Sequence, residues 1–110
     1  MLRLLSNRPA SMNTLTDIQA TLLQLQPFLQ QDYQVTQMGI FGSYVRGEQT
    51  PTSDLDILVE FTPSARFGLV KFCELENYLS ETLSLKVDLV MKSGLKPCIG
   101  DRILQEVIYL

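Results

Sequence analysis

The chain has 110 residues, of which 45% are hydrophobic and 19% are charged, and it contains no histidine. This length allows one globular domain with a single core, and the lack of histidine excludes Ser-His-Asp catalysis and His-ligated zinc. The formal charge of −3, from 9 basic and 12 acidic residues, leaves no basic surplus for a phosphate backbone, which disfavours nucleic acid as the main partner.

The first segment of the chain, residues 1–13, holds only a short apolar patch at Leu4-Leu5. A secretory signal needs an uninterrupted apolar stretch of roughly 7–15 residues, and a membrane span needs about 20, so neither a signal nor a membrane partner is predicted. We expect residues 1–13 to be a disordered leader and residues 14–110 to form the domain. Two isolated cysteines without metal-ligand neighbours indicate reduced thiols in a cytoplasmic protein.

The first predicted element is an amphipathic helix over residues 15–31, in which leucine and isoleucine recur at helical spacing. Thr14 and Asp17 form a capping-box pattern at its start. Pro27 interrupts the hydrogen-bond ladder, so we expect it to kink this helix or to start a second short one.

The rest of the chain alternates apolar stretches of strand length with segments of helical periodicity. This alternation predicts an α/β sandwich with one small sheet. The predicted elements are a strand over 35–41, a short helix over 43–47, a strand over 55–61, a helix over 67–83, a strand over 87–91 and a terminal helix over 99–108. The apolar tail over 107–110 is expected to pack either on the domain's own core or on a neighbouring protein, and the pattern leaves both open.

Gly42 and Ser43 lie where the first strand meets the short helix. The first N–H groups of a helix have no intrahelical acceptor, so such a helix start binds anions, and the Ser43 hydroxyl adds a donor. Arg46 follows on the same side of the helix, where it either contacts a phosphate or holds the nearby aspartate loop. The turn is therefore a predicted phosphate-binding site.

Asp54 and Asp56 open the second strand one residue apart, so both carboxylates project from the same face. Like charges this close repel each other and raise at least one pKa unless a cation joins them. Carboxylate oxygens are ligands that suit Mg²⁺. Asp-x-Asp alone is common in turns, and its position just after the Gly-Ser turn is what favours a catalytic interpretation.

Asp88 interrupts the otherwise apolar third strand. A buried carboxylate is costly unless it is paired or coordinates a metal. The alternatives are a salt bridge to Lys86, Lys92 or Arg46, or simple exposure at a sheet edge. As a third carboxylate on the neighbouring strand, Asp88 would complete a two-metal site. Phosphate donors beside paired carboxylates together predict metal-assisted transfer of a phosphate-containing group.

In combination, these motifs resemble the minimal nucleotidyltransferases of the DNA polymerase β superfamily, from about Leu15 to the C-terminus. The resemblance implies a nucleotidyltransferase fold with a small mixed sheet of three or four strands flanked by helices. It rests on three motifs in the expected order: Gly42-Ser43-x-x-Arg46-Gly47, Ser53-Asp54-x-Asp56-Ile57-Leu58-Val59 and Val87-Asp88-Leu89-Val90.

The same resemblance implies roles for the site residues. Gly42 and Ser43 would hold the triphosphate of ATP, Asp54 and Asp56 would bind Mg²⁺, and Asp88 would complete the metal site and help to deprotonate the acceptor. Many members of the family are antitoxins paired with a HEPN-domain toxin, and they transfer AMP from ATP to a tyrosine of that toxin. The reaction implied here is an in-line attack of the tyrosine hydroxyl on the α-phosphate.

Three other functions compete with this one. The chain could be an antitoxin that acts by binding alone, and AMP transfer in the presence of the partner separates that function from catalysis. Small-molecule nucleotidyltransferases of the aminoglycoside type share this core but carry an extra acceptor domain, for which 110 residues leave no room. An RNA-directed transferase is disfavoured by the charge.

Overall fold

The computed structural model of the protein describes residues 14–64, 68–94 and 97–110, with residues 97–99 described by their backbone alone. The expected leader over 1–13 and the predicted helix start at 67 lie outside the described residues. The elements are α1 (Leu15–Tyr33), β1 (Val35–Phe41), α2 (Ser43–Arg46), β2 (Leu55–Phe61), α3 (Leu69–Leu83), β3 (Val87–Met91), a 3₁₀ turn (Lys92–Gly94), α4 (Pro97–Glu106) and β4 (Ile108–Tyr109).

The four strands form one mixed sheet in the order β3-β2-β1-β4. Strand β1 is antiparallel to both β2 and β4, whereas β2 and β3 are parallel. Parallel neighbours need a crossover connection, and α3 provides it between β2 and β3. This architecture confirms the predicted fold, a small mixed sheet flanked by helices.

Helix α1 is one continuous helix with Pro27 inside it, so the alternative of a second short helix is wrong. Its start is as predicted, because the Asp17 N–H donates to Thr14 Oγ1 at 3.2 Å and the Thr14 hydroxyl donates to Asp17 Oδ2 at 2.6 Å. The core-facing residues Leu22 and Leu29 on either side of Pro27 are fully buried. Their packing holds the helix together across the missing hydrogen bond.

Helices α1 and α3 share one hydrophobic core with the sheet. Strand β2 is covered on both faces, because Ile57 and Val59 enter this core while Leu58, on the opposite face, is also buried. Burial of β2 from both sides therefore confirms the prediction made from its apolar pattern. No helix among the described residues is both long enough and apolar enough to cross a membrane.

The C-terminal tail forms the strand that the sequence pattern missed. Helix α4 ends at Glu106, and Ile108–Tyr109 pairs with β1 at the edge of the sheet. The Leu110 N–H donates to the Met38 carbonyl at 3.0 Å. The predicted terminal helix to residue 108 is thus two residues too long, and of the two open alternatives for the tail, packing on the domain itself is correct.

Candidate active site

The Gly-Ser turn has a backbone that only glycine adopts easily. Gly42 has φ 85° and ψ −154°, a region that side-chain-bearing residues rarely enter. Its carbonyl accepts hydrogen bonds from the N–H groups of Val45 and Arg46 at 3.0 and 3.2 Å. The N–H groups of Ser43 and Tyr44 come first in α2 and have no intrahelical acceptor. The structure thus places Gly42 and Ser43 at the start of the short helix, as the sequence predicts.

The turn lies directly against the Asp-x-Asp motif. Phe41, the last residue of β1, is the register partner of Asp56 on β2. A Cβ atom added to Gly42 would collide with the Asp56 carboxylate. The predicted phosphate site and the Asp56 carboxylate are therefore in contact, and they can approach this closely because Gly42 has no side chain.

Two of the three aspartates are paired across neighbouring strands. Asp56 on β2 is the register partner of Asp88 on β3, and strands in a sheet lie about 4.8 Å apart with paired side chains on one face. Asp54 precedes β2 by one residue, and its carboxylate lies 4.0 Å from Lys86 Nζ. The register thus brings Asp56 and Asp88 together, with Asp54 next to them.

Asp56 is the electrostatic centre of this group. Partial burial, followed by the negative charges of Asp88 and Asp54, raises its pKa from 3.8 to about 6. The nearby Arg46 guanidinium opposes this shift by favouring the charged carboxylate. The predicted repulsion between clustered carboxylates is therefore present at Asp56.

Asp88 itself is exposed, because it lies on the edge strand β3 and on the face opposite the buried Val87 and Leu89. The expectation that it is a costly buried charge was wrong, and exposure at a sheet edge is the alternative that holds. Among the described residues, Lys86 pairs with Asp54 and Lys92 with Glu60, and neither pairs with Asp88. Its carboxylate therefore stays open to a metal or to an acceptor group.

The acidic group fits a magnesium site that is completed by substrate. In the described part of the chain, no three Asp, Glu, Cys or His side chains converge closely enough to hold a metal by themselves. Mg²⁺ commonly binds through one or two carboxylates and takes its other oxygens from substrate phosphates and water. Asp56 with a neighbouring aspartate, beside the donors of the Gly42 turn, matches that ligand set.

Sequence reasoning missed Glu106, although it contacts the turn directly. The Gly42 N–H donates to Glu106 Oε2 at 2.7 Å. Arg46 donates from Nη1 to Glu106 Oε1 at 2.9 Å and from Nε to Glu48 Oε1 at 2.8 Å. Among the described residues, the ion pairs of Arg46 are therefore with Glu48 and Glu106, the acids around the turn. No local signal identifies Glu106, because it lies 64 residues from Gly42 along the chain.

A cavity of about 590 Å³ opens beside these groups, between the Gly42 turn and α4. Arg102, one turn before Glu106 on α4, adds a second cation to its wall. Two cavities of similar volume, about 620 and 610 Å³, lie elsewhere, one along β2 and one along α3, but the described lining of neither includes the Gly42 turn or an aspartate. The first cavity is therefore the candidate site, and its walls are formed by Phe41, Gly42, Arg46, Asp56, Arg102, Ile103, Gln105 and Glu106.

Comparison with known proteins agrees with this geometry. Residues 22–110 match the nucleotidyltransferase domain family. The protein adenylyltransferase MntA of Thermococcus cleftensis is 48% identical over 100 residues, which cover 91% of this chain and 99% of the relative.

Two solved structures share the fold. A minimal nucleotidyltransferase superposes with a TM-score of 0.67 at 32% identity, covering 86% of this chain and 90% of the other. The complex of a tri-AMPylated HEPN toxin with its MNT antitoxin from Shewanella oneidensis matches with a TM-score of 0.61, at 19% identity and over 84% and 70% of the two chains. The fold, the order of the motifs and the match over most of its length show that this chain belongs to the nucleotidyltransferase domain family.

Proposed function

We propose that this protein is an antitoxin-type adenylyltransferase, which transfers AMP from ATP to a tyrosine of a HEPN-type toxin with the help of Mg²⁺. The observation that carries the proposal is the contact between the Gly42 turn and the Asp56 carboxylate, with Asp88 in register on the next strand. A relative at 48% identity is a protein adenylyltransferase, and a structure of the same fold holds an AMPylated HEPN toxin.

In this proposal the Gly42 turn binds the phosphates of ATP and the aspartates bind the metal ion. Gly42 and Ser43 receive the triphosphate, because the N–H groups at the start of α2 and the Ser43 hydroxyl are anion donors. Asp54, Asp56 and Asp88 would hold Mg²⁺, which when bound supplies positive charge to stabilise the pyrophosphate leaving group. Bringing ATP close to three carboxylates is otherwise repulsive. In the free protein the negative charges of Asp88 and Asp54 already contribute, after burial, to the raised pKa of Asp56.

Asp88 serves the acceptor side. A tyrosine hydroxyl has an ordinary pKa near ~10 and is protonated at neutral pH. The exposed Asp88 carboxylate accepts that proton while the phenolic oxygen attacks the α-phosphate, and the bond to pyrophosphate breaks. Because Asp88 is exposed on an edge strand, a tyrosine on the surface of another protein can reach it.

The acceptor is therefore proposed to be a partner protein. The candidate cavity is open to solvent beside the exposed Asp88, and a docked toxin would form its missing wall. We place the reaction in the cytoplasm, where ATP is abundant and the exposed free thiol of Cys73 stays reduced.

The test is to incubate the protein with a HEPN-type toxin, Mg²⁺ and isotope-labelled ATP, and to locate the label by tandem mass spectrometry. The expected result is labelled AMP on a toxin tyrosine, with none when Asp56→Asn replaces the wild-type protein. Label on an aminoglycoside or on an RNA 3′ end, with none on the toxin, would reject the proposal. A tight complex without label would identify an antitoxin that acts by binding alone.

A further inference from the structure

Glu106 connects the C-terminal end of α4 to both ends of α2. Its Oε2 accepts the Gly42 N–H at 2.7 Å, in front of α2. Arg46, the last residue of α2, donates from Nη1 to Glu106 Oε1 at 2.9 Å and to Oε2 at 3.1 Å. A single carboxylate thus holds the residue that precedes α2 and the residue that ends it.

The turn needs such a contact, because α2 has little stability of its own. It spans four residues, whereas isolated helices shorter than about 12 residues are marginal in water. Gly42 adds backbone freedom that must be lost on folding. A hydrogen bond to a charged acceptor is among the stronger ones, and the Glu106 side chain is only 25% exposed.

We propose that Glu106 is a positioning residue for AMP transfer, which fixes the Gly42 turn against Asp56 and does not bind the phosphates of ATP. This inference rests on the proposed function, in which Gly42 and Ser43 receive the triphosphate. Glu106 is not a phosphate ligand itself, because its negative charge repels a triphosphate. Arg46 offsets that charge where the two side chains pair.

Removing Glu106 therefore has two opposed effects on ATP. Loss of its negative charge favours triphosphate binding, while loss of its hydrogen bond lets the Gly42 turn move relative to Asp56. Binding tolerates a displaced turn better than the transition state does, because an in-line attack depends on alignment. The result is a lower kcat with little change in the KM for ATP, which differs from the pattern of a residue that binds ATP.

Three variants separate these effects. Glu106→Ala removes the acceptor, Glu106→Gln keeps a carbonyl oxygen for the Gly42 N–H but loses the charge, and Glu106→Asp keeps the charge but is shorter by one methylene. Glu48→Ala is the matched control, since Glu48 pairs with the same guanidinium of Arg46 at 2.8 Å from a more exposed position. Each variant is measured by amide hydrogen exchange of Gly42, by NMR, and by steady-state AMP transfer to the toxin.

In Glu106→Ala we expect Gly42 exchange to be at least about tenfold faster, as loss of the hydrogen-bond acceptor implies. We expect kcat to fall by at least about tenfold and the ATP KM to stay within about threefold of wild type. Glu106→Asp should behave in the same way, while Glu106→Gln and Glu48→Ala should retain slow Gly42 exchange and most of kcat.

Several outcomes would overturn the inference. Fast Gly42 exchange with an unchanged kcat would show that the contact does not matter for transfer. Tighter ATP binding at unchanged kcat would make Glu106 a competitor of the triphosphate instead. If Glu106→Ala does not fold, then slow Gly42 exchange or wild-type kcat in Glu106→Asp would refute the inference. Absence of transfer by the wild-type protein would reject the proposed function, whereas Gly42 exchange needs neither ATP nor toxin and still decides whether Glu106 holds the turn.

Discussion

Among single residues, Gly42 has the least freedom to change, for two separate reasons. Its positive φ strains any other residue, and the space where a side chain would go is filled by the Asp56 carboxylate. Gly47 shares the first constraint, with φ 71°, but has no heavy atom within 4 Å of its would-be Cβ. Substitutions at Gly42 and Gly47 therefore distinguish the effect of backbone strain from that of a collision with Asp56.

We expect Gly42→Val to abolish ATP binding, because the branched side chain displaces Asp56 and blocks phosphate from the turn. Ser43→Ala should be milder, since it removes one hydrogen bond to a charged group, worth about 1.5–3 kcal/mol. Gly47→Val, the control, should lose stability through its positive φ, by about 1 kcal/mol or more, and still bind ATP. Calorimetric titration with a non-hydrolysable ATP analogue measures the ATP affinity of all three variants, and urea unfolding measures the stability of Gly47→Val. Wild-type affinity in Gly42→Val would place the phosphate elsewhere.

The raised pKa of Asp56 makes the stability of the metal-free protein depend on pH. The unfolded carboxyl titrates near ~3.9 and the folded one at about 6, so between these values the folded state binds more protons. Stability therefore falls as pH rises through this window, and the protein pays a cost at pH 7 that is absent at pH 4.

Asp56→Asn should remove this pH dependence and raise the Tm of the metal-free protein at pH 7, while abolishing AMP transfer. Asp32→Asn, at an exposed carboxylate near the end of α1, is the control for activity and should leave AMP transfer unchanged. Thermal unfolding from pH 4.5 to 7.5 in EDTA makes the measurement. A lower Tm for Asp56→Asn at pH 7, or substantial residual transfer, would contradict the site assignment.

Asp88→Asn should lower kcat for AMP transfer by at least about a hundredfold, the scale of general-base catalysis, and change ATP affinity much less. The reason is that Asp88 is exposed on β3 and, in the proposed mechanism, acts on the acceptor mainly in the transition state. Single-turnover transfer and equilibrium ATP binding are the two measurements. Equal losses in both would make Asp88 a nucleotide-binding residue instead.

At the scale of elements, the three long strands could be predicted with their observed bounds, 35–41, 55–61 and 87–91. Each is an apolar run of strand length between polar or turn-forming residues, so local chemistry is sufficient to identify it. The strand β4 could not be predicted in this way, because two residues, Ile108 and Tyr109, show no period. Its pairing with β1 depends on the rest of the sheet being in place.

The residues of the candidate site likewise fall into two groups, those that a local pattern identifies and those whose position depends on the folded sheet. The Gly-Ser turn and the Asp-x-Asp motif are local patterns, so the sequence identifies them. Glu106 reaches Gly42 only because the chain after α4 turns back as β4 beside β1. The exposure of Asp88 follows from the position of β3 at the sheet edge, which no pattern within the strand reveals.

Deleting residues 108–110 should therefore affect both stability and activity. The deletion removes the β4 pairing and the Leu110 N–H bond to Met38, and we expect it to cost on the order of 2 kcal/mol from lost hydrogen bonds and burial. AMP transfer should fall by more than the loss of folded protein accounts for, because α4 and Glu106 lose the strand pairing that fixes their position. Urea unfolding and transfer assays are the measurements, with Tyr109→Ala, which keeps the backbone pairing, as the control. Full activity of the truncated protein would show that β4 does not support the site.

At the scale of the whole molecule, the negative charge bears on the proposed mechanism. The formal charge is −3, and Asp56 and Glu106 line the cavity in which ATP, a polyanion, is proposed to bind. Mg²⁺ bound together with ATP is therefore expected to stabilise the fold more than ATP alone, because the cation removes the repulsion around Asp56. Such a site is selective for a phosphate that arrives with its cation and unfavourable to a bare nucleic-acid backbone.

The contact between Gly42 and Glu106 also has a consequence for folding. Glu106 reaches the turn from the end of α4, just before β4 pairs with β1. Until Ile108 and Tyr109 pair with it, β1 keeps an open edge, and an unpaired strand edge is a template for pairing with another chain. A chain in which β4 is detached should therefore lose the Glu106 contact and expose β1 to aggregation at the same time.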